Sequence, residues 1–212
     1  TELSVLRKWI AGGLLEFAGD QPKKPATPRV SIALSESPDF EPDGPPPMPE
    51  ESWLEPFVTS PRGNTILALA ASPWAPLVAI GGHRQVVLYH AETHELLNIL
   101  SFDEGQPYHL SFSRNGSLLL AAGGVGGQSG RVALWRVDNG ERIGTVGDEL
   151  DAILTADLSP DQKFLAVGGT DKRIKVFNLQ DGGILHNIKQ HTDWVTAVAY
   201  SPDGVLLATG DR

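Results

Sequence analysis

The sequence lacks several residues and patterns on which common protein functions depend. It contains no cysteine, so disulfides, thiolate zinc sites, iron–sulfur clusters and covalent haem attachment within this chain are excluded. It has no run of about 18 apolar residues, so no transmembrane helix is predicted. It also lacks an excess of positive charge, because its net charge is −9. A nucleic-acid-binding surface needs basic residues to neutralise phosphates, so we expect no nucleic-acid partner.

Sequence motifs for catalysis, phosphate binding and metal binding are missing too. The glycine-rich stretch 123–130 departs from the G-x-G-x-x-G pattern at Ser129 and leads into a predicted strand instead of a helix, so we interpret it as a hairpin loop. His90 and His94 are four residues apart, but they fall on a predicted strand and its turn, where that spacing does not converge on a metal as it does on a helix. We therefore predict a chain that is not an enzyme and that holds no metal or cofactor of its own.

The proline and glycine residues that the sequence has in excess divide it into segments. Residues 1–13 carry apolar side chains at helical spacing and end in two glycines, which predicts a short amphipathic α-helix. Prolines crowd into residues 14–64, where they remove backbone donors and restrict their neighbours. We predict a proline-rich linker there, which is either a solvated tether or a ligand for the aromatic groove of a partner.

The segment 65–212 repeats one pattern of short strands. Each copy has an alternating strand that ends in serine, a turn such as SPDG, and a second strand that ends in glycine. A third strand ending in an aromatic residue and a fourth strand complete the first three copies. The serines are Ser72, Ser113, Ser159 and Ser201, at steps of 41, 46 and 42 residues. Four strands in a period of about 42 residues are typical of a β-propeller blade.

We therefore predict an all-β fold, a partial WD-type β-propeller of three blades plus half of a fourth, preceded by the short α-helix and the proline-rich linker. Blades hide their apolar faces by stacking around an axis, and a ring takes at least about four of them. We expect further blades to lie outside this sequence. The pattern leaves the blade number and the oligomeric state open.

The residues of the last copy resemble the WD-repeat family. QHTDWVTAVAYSPDG (190–204) and SPDGVLLATGD (201–211) are similar to its pattern, although the Gly-His and Trp-Asp dipeptides are degenerate here. The resemblance implies structural roles for one histidine, one turn aspartate and the third-strand aromatics. These residues are His191, Asp171, Tyr89, Trp135 and Phe177. The hydrogen-bonded Asp–His–Ser–Trp network that is typical of the family is incomplete in every full blade here. The resemblance therefore implies the fold and a protein-binding function, but it does not imply rigid blades.

The first segment resembles a different family. The pattern V-L-R-x-W-I-x-x-G at residues 5–13 is similar to the closing helix of the planctomycete-type cytochrome c domain. This resemblance implies a larger bacterial protein, periplasmic or otherwise extracytoplasmic, with a haem c domain upstream and no haem ligand in this chain. It also keeps open an alternative function, an electron-transfer or redox subunit whose haem domain precedes Thr1.

Candidate partner-binding residues lie on connections that the repeat places at one end of the blades. They are Tyr108, Glu149, Asp151, Asp193 and Trp194. The acidic residues are either solvated loop charge or a rim for a basic partner. Trp194 is either an exposed anchor for a partner or a cover over the end of its blade. The predicted function is a non-catalytic scaffold that binds proteins.

Overall fold

The computed structural model describes residues 42, 44–50, 52–61, 63 and 65–212, and it contains no α-helix among them. The helix predicted for residues 1–13 lies outside the described residues. The described chain forms three four-stranded antiparallel sheets and one two-stranded sheet, each in meander order. The prediction of an all-β fold with three blades and half of a fourth is therefore confirmed.

The strands follow one another in four sets. Blade 1 consists of β1 (Leu69–Ala71), β2 (Leu77–Gly82), β3 (Gln85–His90) and β4 (Leu96–Ser101). Blade 2 consists of β5 (Gln106–Phe112), β6 (Leu118–Val125), β7 (Ser129–Arg136) and β8 (Arg142–Glu149). Blade 3 consists of β9 (Ile153–Leu158), β10 (Phe164–Gly169), β11 (Ile174–Asn178) and β12 (Ile184–Ile188). The half-blade consists of β13 (Val195–Tyr200) and β14 (Leu207–Asp211).

The repeated serine closes the turn between the first and second strands of a blade. In blade 2, the Ser113 hydroxyl donates to Asn115 Oδ1 at 2.8 Å and accepts from the Leu118 amide at 2.9 Å. Ser159 makes the same pair of contacts in blade 3, with Asp161 Oδ1 at 2.6 Å and the Phe164 amide at 2.9 Å. A short side chain that bonds its own backbone neighbours fixes a tight turn, which explains why serine recurs at this place in each unit.

The core lies between the sheets. Between blades 1 and 2 it includes Phe102 and Trp135, whose rings are 6.3 Å apart, and Trp135 is only 2% exposed. A second cluster, which contains Phe177, lies between blades 2 and 3, and a smaller one holds the half-blade against blade 3. Blade 1 covers Trp135 of blade 2. Tyr89 occupies the same position in blade 1, but it is only half-buried, because no blade among the described residues covers that side of blade 1.

Part of the predicted linker packs against the propeller. We call residues 45–50 and 52–58 the strap. It has no helix or strand, as its prolines predict, but its backbone is hydrogen-bonded to blades 1 and 2 and its Met48 packs against the core between them. The expectation of a solvated tether is therefore wrong for the strap. The contacts that hold it come from amide side chains and backbone groups, which leave no periodic signal in a sequence.

Candidate protein-binding face

The antiparallel meander gives the propeller two ends with different connections. One end carries the serine turns and the turns between the third and fourth strands. The other end, which we call the loop face, carries the remaining connections. These are residues 83–84, 102–105, 126–128, 150–152, 170–173 and 189–194. The candidate residues Tyr108, Glu149, Asp151, Asp193 and Trp194 all lie on or next to the loop face.

Asp151 joins two connections of the loop face. Its Oδ1 accepts hydrogen bonds from the Gly127 amide at 2.8 Å and from the Ala152 amide at 2.7 Å. These bonds, chiefly the one from Gly127, hold the pKa of the Asp151 carboxyl below its usual value. The carboxylate therefore ties the glycine-rich hairpin loop of blade 2 to the start of blade 3.

Glu149 lies in a small cleft of about 330 Å³ beside Asp151, and its carboxylate is paired with Lys175. Lys175 Nζ also lies 3.4 Å from Asp171 Oδ2, and the Lys175 side chain is largely buried. Asp171 Oδ1 accepts from the Arg173 amide at 3.2 Å, as expected of a turn aspartate. Glu149 and Asp171 thus share one cation inside the fold.

Asp193 and His191 hold the connection that leads into the half-blade. The Trp194 amide donates to Asp193 Oδ1 at 2.8 Å. His191 Nε2 lies 2.9 Å from Thr209 Oγ1, and its Nδ1 lies 3.4 Å from Asp211 Oδ2. Sequence reasoning missed Asp211, which the repeat aligns with Gly169 of blade 3.

Asp211 is the acceptor at the centre of this connection. Its Oδ2 accepts from the Thr192 amide at 2.9 Å and the Asp193 amide at 3.4 Å. The bond from Thr192 is the main reason why the pKa of Asp211 lies below its usual value. The connection is therefore pre-organised by one carboxylate that bonds two successive amides and a histidine.

Two large apolar side chains project from the loop face. Trp194 is 44% exposed and Leu150 is 84% exposed. Leu150 was missed by sequence reasoning, although an apolar residue between Glu149 and Asp151 in a connection was a usable signal. Tyr108 is half-buried on β5. The five candidate residues therefore divide into carboxylates with contacts inside the fold and aromatics that reach its surface.

Comparison with known protein families agrees with this geometry. Residues 119–203 match the family model described as the anaphase-promoting complex subunit 4 WD40 domain. Together with the four-stranded antiparallel sheets, the match supports a WD-repeat β-propeller. A search of curated proteins finds no significant match.

The WD-type resemblance explains where the family-specific residues lie. His191 bonds within the half-blade, while Trp135 and Phe177 occupy third strands and are buried between neighbouring blades. The match contains no part of residues 1–13, so the cytochrome c resemblance stays a prediction.

Neither a metal site nor a membrane-spanning helix is present in the part of the chain that the structure describes. No group of three or more histidine, aspartate or glutamate side chains in that part is arranged to hold a metal ion. Nor does that part include a helix with the length and hydropathy needed to cross a membrane.

Proposed function

We propose that this chain is a non-catalytic scaffold whose loop face binds a protein partner through Trp194 and Leu150. WD40 domains serve in general as protein-binding scaffolds. The observation that carries the assignment is the exposure of these two side chains, 44% and 84%, on neighbouring connections of one face. Binding hot spots are enriched in tryptophan, and large apolar side chains exposed on one face mark protein-binding surfaces.

The carboxylates of the loop face support the scaffold instead of forming a charged rim. Glu149 is paired with Lys175, and Asp151 accepts two backbone amides. Asp148, on the same side, pairs with Arg131 at 3.3 Å. Since these charges already have partners within the chain, a basic partner would gain little from them. We therefore assign Glu149, Asp151 and Asp193 to holding the connections, and Trp194, Leu150 and Tyr108 to partner contact.

A displayed library of random 12-residue peptides tests the assignment, because selection from such a library does not require an identified partner. We expect selection on the full chain to yield peptides that bind the loop face. Trp194→Ala should weaken their binding at least tenfold, which corresponds to a loss of about 1.4 kcal/mol, because truncation removes the anchor. Fluorescence anisotropy with each selected peptide measures the change.

Trp74→Ala is the matched control. Trp74 is a tryptophan with nearly the same exposure, 41%, but it lies in the serine turn of blade 1 at the opposite end. Its substitution should leave peptide binding unchanged. If Trp74→Ala and Trp194→Ala weaken peptide binding equally, or if neither substitution changes it, the loop face is not the binding site.

The wider setting of the scaffold is part of the same proposal. Its place in a larger bacterial protein outside the cytoplasm, and the alternative of a redox subunit with an upstream haem c domain, depend on residues 1–13. A C-x-x-C-H motif upstream of Thr1 and a haem absorbance band in the complete protein would support the alternative. A complete protein without that band would count against it.

A further inference from the structure

We propose that the groove between blades 1 and 2 is a binding site for an extended, proline-rich peptide, and that the strap fills it as an intramolecular ligand. The site is distinct from the loop face. Its partner class is set by the segment seated in it, which carries four prolines before Glu50 and an aromatic pair after it. The groove is the recognition site, and the strap is the segment that occupies it in this chain.

The centre of the groove recognises the main chain of its occupant. The Trp53 amide donates to Asn98 Oδ1 at 2.9 Å, and the Trp53 carbonyl accepts from the Ile99 amide at 2.8 Å. Asn98 is only 3% exposed, so its amide oxygen is held in a fixed place on β4. The occupant thus adds to the outer edge of blade 1 much as an extra strand adds to a sheet.

The two ends of the groove fix the direction of the occupant. The Glu50 amide donates to the Asp138 carbonyl of blade 2 at 2.7 Å. Further along, Gln85 Oε1 accepts from the Phe57 amide at 3.1 Å and from the Val58 amide at 3.4 Å. Gln85 begins β3 beside the last residue of β4. The strap therefore runs parallel to β4, from the serine-turn end towards the loop face.

Side-chain contacts bury little of the strap. Met48 packs against the core, and the rings of Trp53 and Phe57 stack with centroids 5.9 Å apart. Both rings remain about half exposed, at 54% and 48%. Prolines favour an extended backbone at low entropic cost but have no amide hydrogen to donate. They therefore suit a groove that accepts hydrogen bonds from the backbone of its ligand at only a few positions.

The fit of the strap leaves room for exchange. Its four prolines border an open cleft of about 820 Å³, which blade 2 lines with residues that include Asn115 and Arg136. A tethered segment competes at an effective concentration in the millimolar range, so a free peptide should bind weakly while the strap is intact. Weakening the strap alone should raise the affinity for the same peptide in trans.

Anisotropy with a labelled peptide of residues 44–61, GPPPMPEESWLEPFVTSP, tests this with the full chain. The double substitution Met48→Ala and Trp53→Ala in the protein weakens the strap but leaves the groove intact. We expect it to bind the peptide at least tenfold more tightly than the unsubstituted chain. A scrambled peptide of the same composition should bind neither protein.

Groove variants in the strap-weakened background locate the binding. Adding Gln85→Ala should lower the affinity at least threefold, because two backbone donors of the peptide lose their acceptor. Adding Gln128→Ala, an exposed glutamine on the loop face, is the matched control and should change nothing. Loss of peptide binding on Trp194→Ala would place the peptide on the loop face and overturn the groove assignment, while leaving the proposed function standing.

Hydrogen exchange on the unsubstituted chain keeps the proposal testable if the double variant fails to fold. The Trp53 amide of the strap, which donates to Asn98 Oδ1, should exchange much faster than the amide of Ala133 in the centre of blade 2, because release of the strap alone exposes it. Equal protection of the two amides, or a folded double variant with no gain in peptide affinity, would show that the strap is a fixed part of the fold and would overturn the proposal.

Discussion

At the scale of single residues, a partly buried polar cluster on the inner strands joins three units of the fold. Asp157 Oδ2 of blade 3 accepts from the Tyr200 amide of the half-blade at 2.7 Å. Arg114, in the serine turn of blade 2, donates to the Tyr200 carbonyl at 3.1 Å. Burial raises the pKa of Asp157 and, as the main cause, raises the pKa of Tyr200 to about 12. The Asp157 carboxylate is stabilised by these hydrogen bonds, so the cluster fixes the positions of blade 2, blade 3 and the half-blade relative to one another.

His109 completes this cluster and should make stability depend on pH. Burial is the main cause that lowers the pKa of His109 from 6.5, so the folded chain binds fewer protons than the unfolded chain below that pH. Its contribution to stability is therefore full above pH 6.5 and is lost as pH falls through the lower folded pKa. We expect His109→Gln to reduce the loss of stability between pH 7.5 and pH 5.5.

Urea unfolding midpoints at several pH values in this range measure the effect of His109. The exposed Gln128 offers a control, because Gln128→Ala removes no ionisable group and should leave the pH dependence of the midpoint as it is in the unsubstituted chain. The neighbouring Asp157 opposes the shift by favouring the charged imidazole. A His109→Gln curve that runs parallel to that of the unsubstituted chain would show that His109 does not titrate with folding.

At the scale of strands, the distance between blades depends on small residues in the inner strands. Gly168 on β10 faces the half-blade, and a methyl group there would meet Val195 Cγ1 at 2.6 Å and Val195 Cβ at 2.9 Å. Neither strand can move away without opening the core cluster between blade 3 and the half-blade. We expect Gly168→Ala to destabilise the fold by about 1–3 kcal/mol, as overpacked cores do.

Thermal or urea unfolding compares Gly168→Ala with Gly126→Ala. Gly126 lies in the hairpin loop of blade 2, where the nearest atom to an added methyl group is Asp151 Oδ1 at 3.8 Å. That substitution should change stability by less than about 0.5 kcal/mol, as surface changes usually do. If both alanine variants unfold at the same midpoint, close approach of the half-blade is not what requires glycine at residue 168.

The elements differ in how far the sequence predicted them. Repetition predicted the blades, because turn serines such as Ser113 and Ser159 recur at a nearly fixed step and each fixes a strand boundary. The strap could not be predicted, since Asn98 and Gln85 hold it through amide oxygens that any surface residue of that type also carries. Asp211 and Leu150 were missed for different reasons. Asp211 ends β14 at a position where blade 3 has Gly169, so the repeat gave it no counterpart. Leu150 lies on a connection without periodicity, where only its apolar type between two acidic residues distinguished it.

At the scale of the whole molecule, the described chain leaves apolar side chains exposed on or beside its first and last strands. Ile66, Leu67 and Leu69 are exposed beside or on β1, and Val205 and Leu206 are exposed in the last serine turn. Blades are apolar on both faces and gain stability by stacking, so such faces favour association. We expect this chain to self-associate in a concentration-dependent way.

Sedimentation velocity over a range of concentrations measures this association. Leu69→Ser combined with Val205→Ser should shift the distribution towards monomer, because both changes remove exposed apolar surface from the uncovered ends of the stack. Leu150→Ser is the control: its side chain is also exposed but lies on the loop face, so the distribution should not change. A monomer at all concentrations would mean that the uncovered faces do not drive contact between chains.

The strap also makes the gaps between blades unequal. Successive blades are related by an approximate rotation about the axis, and in a repeat of this kind each gap would offer a ligand the same surroundings. Here the first gap carries a segment that runs from one end of the propeller to the other, and no equivalent segment is present at the second gap among the described residues. The pseudo-symmetry is thus broken at one angular position, so a molecule that approaches from the side can distinguish one gap from the next.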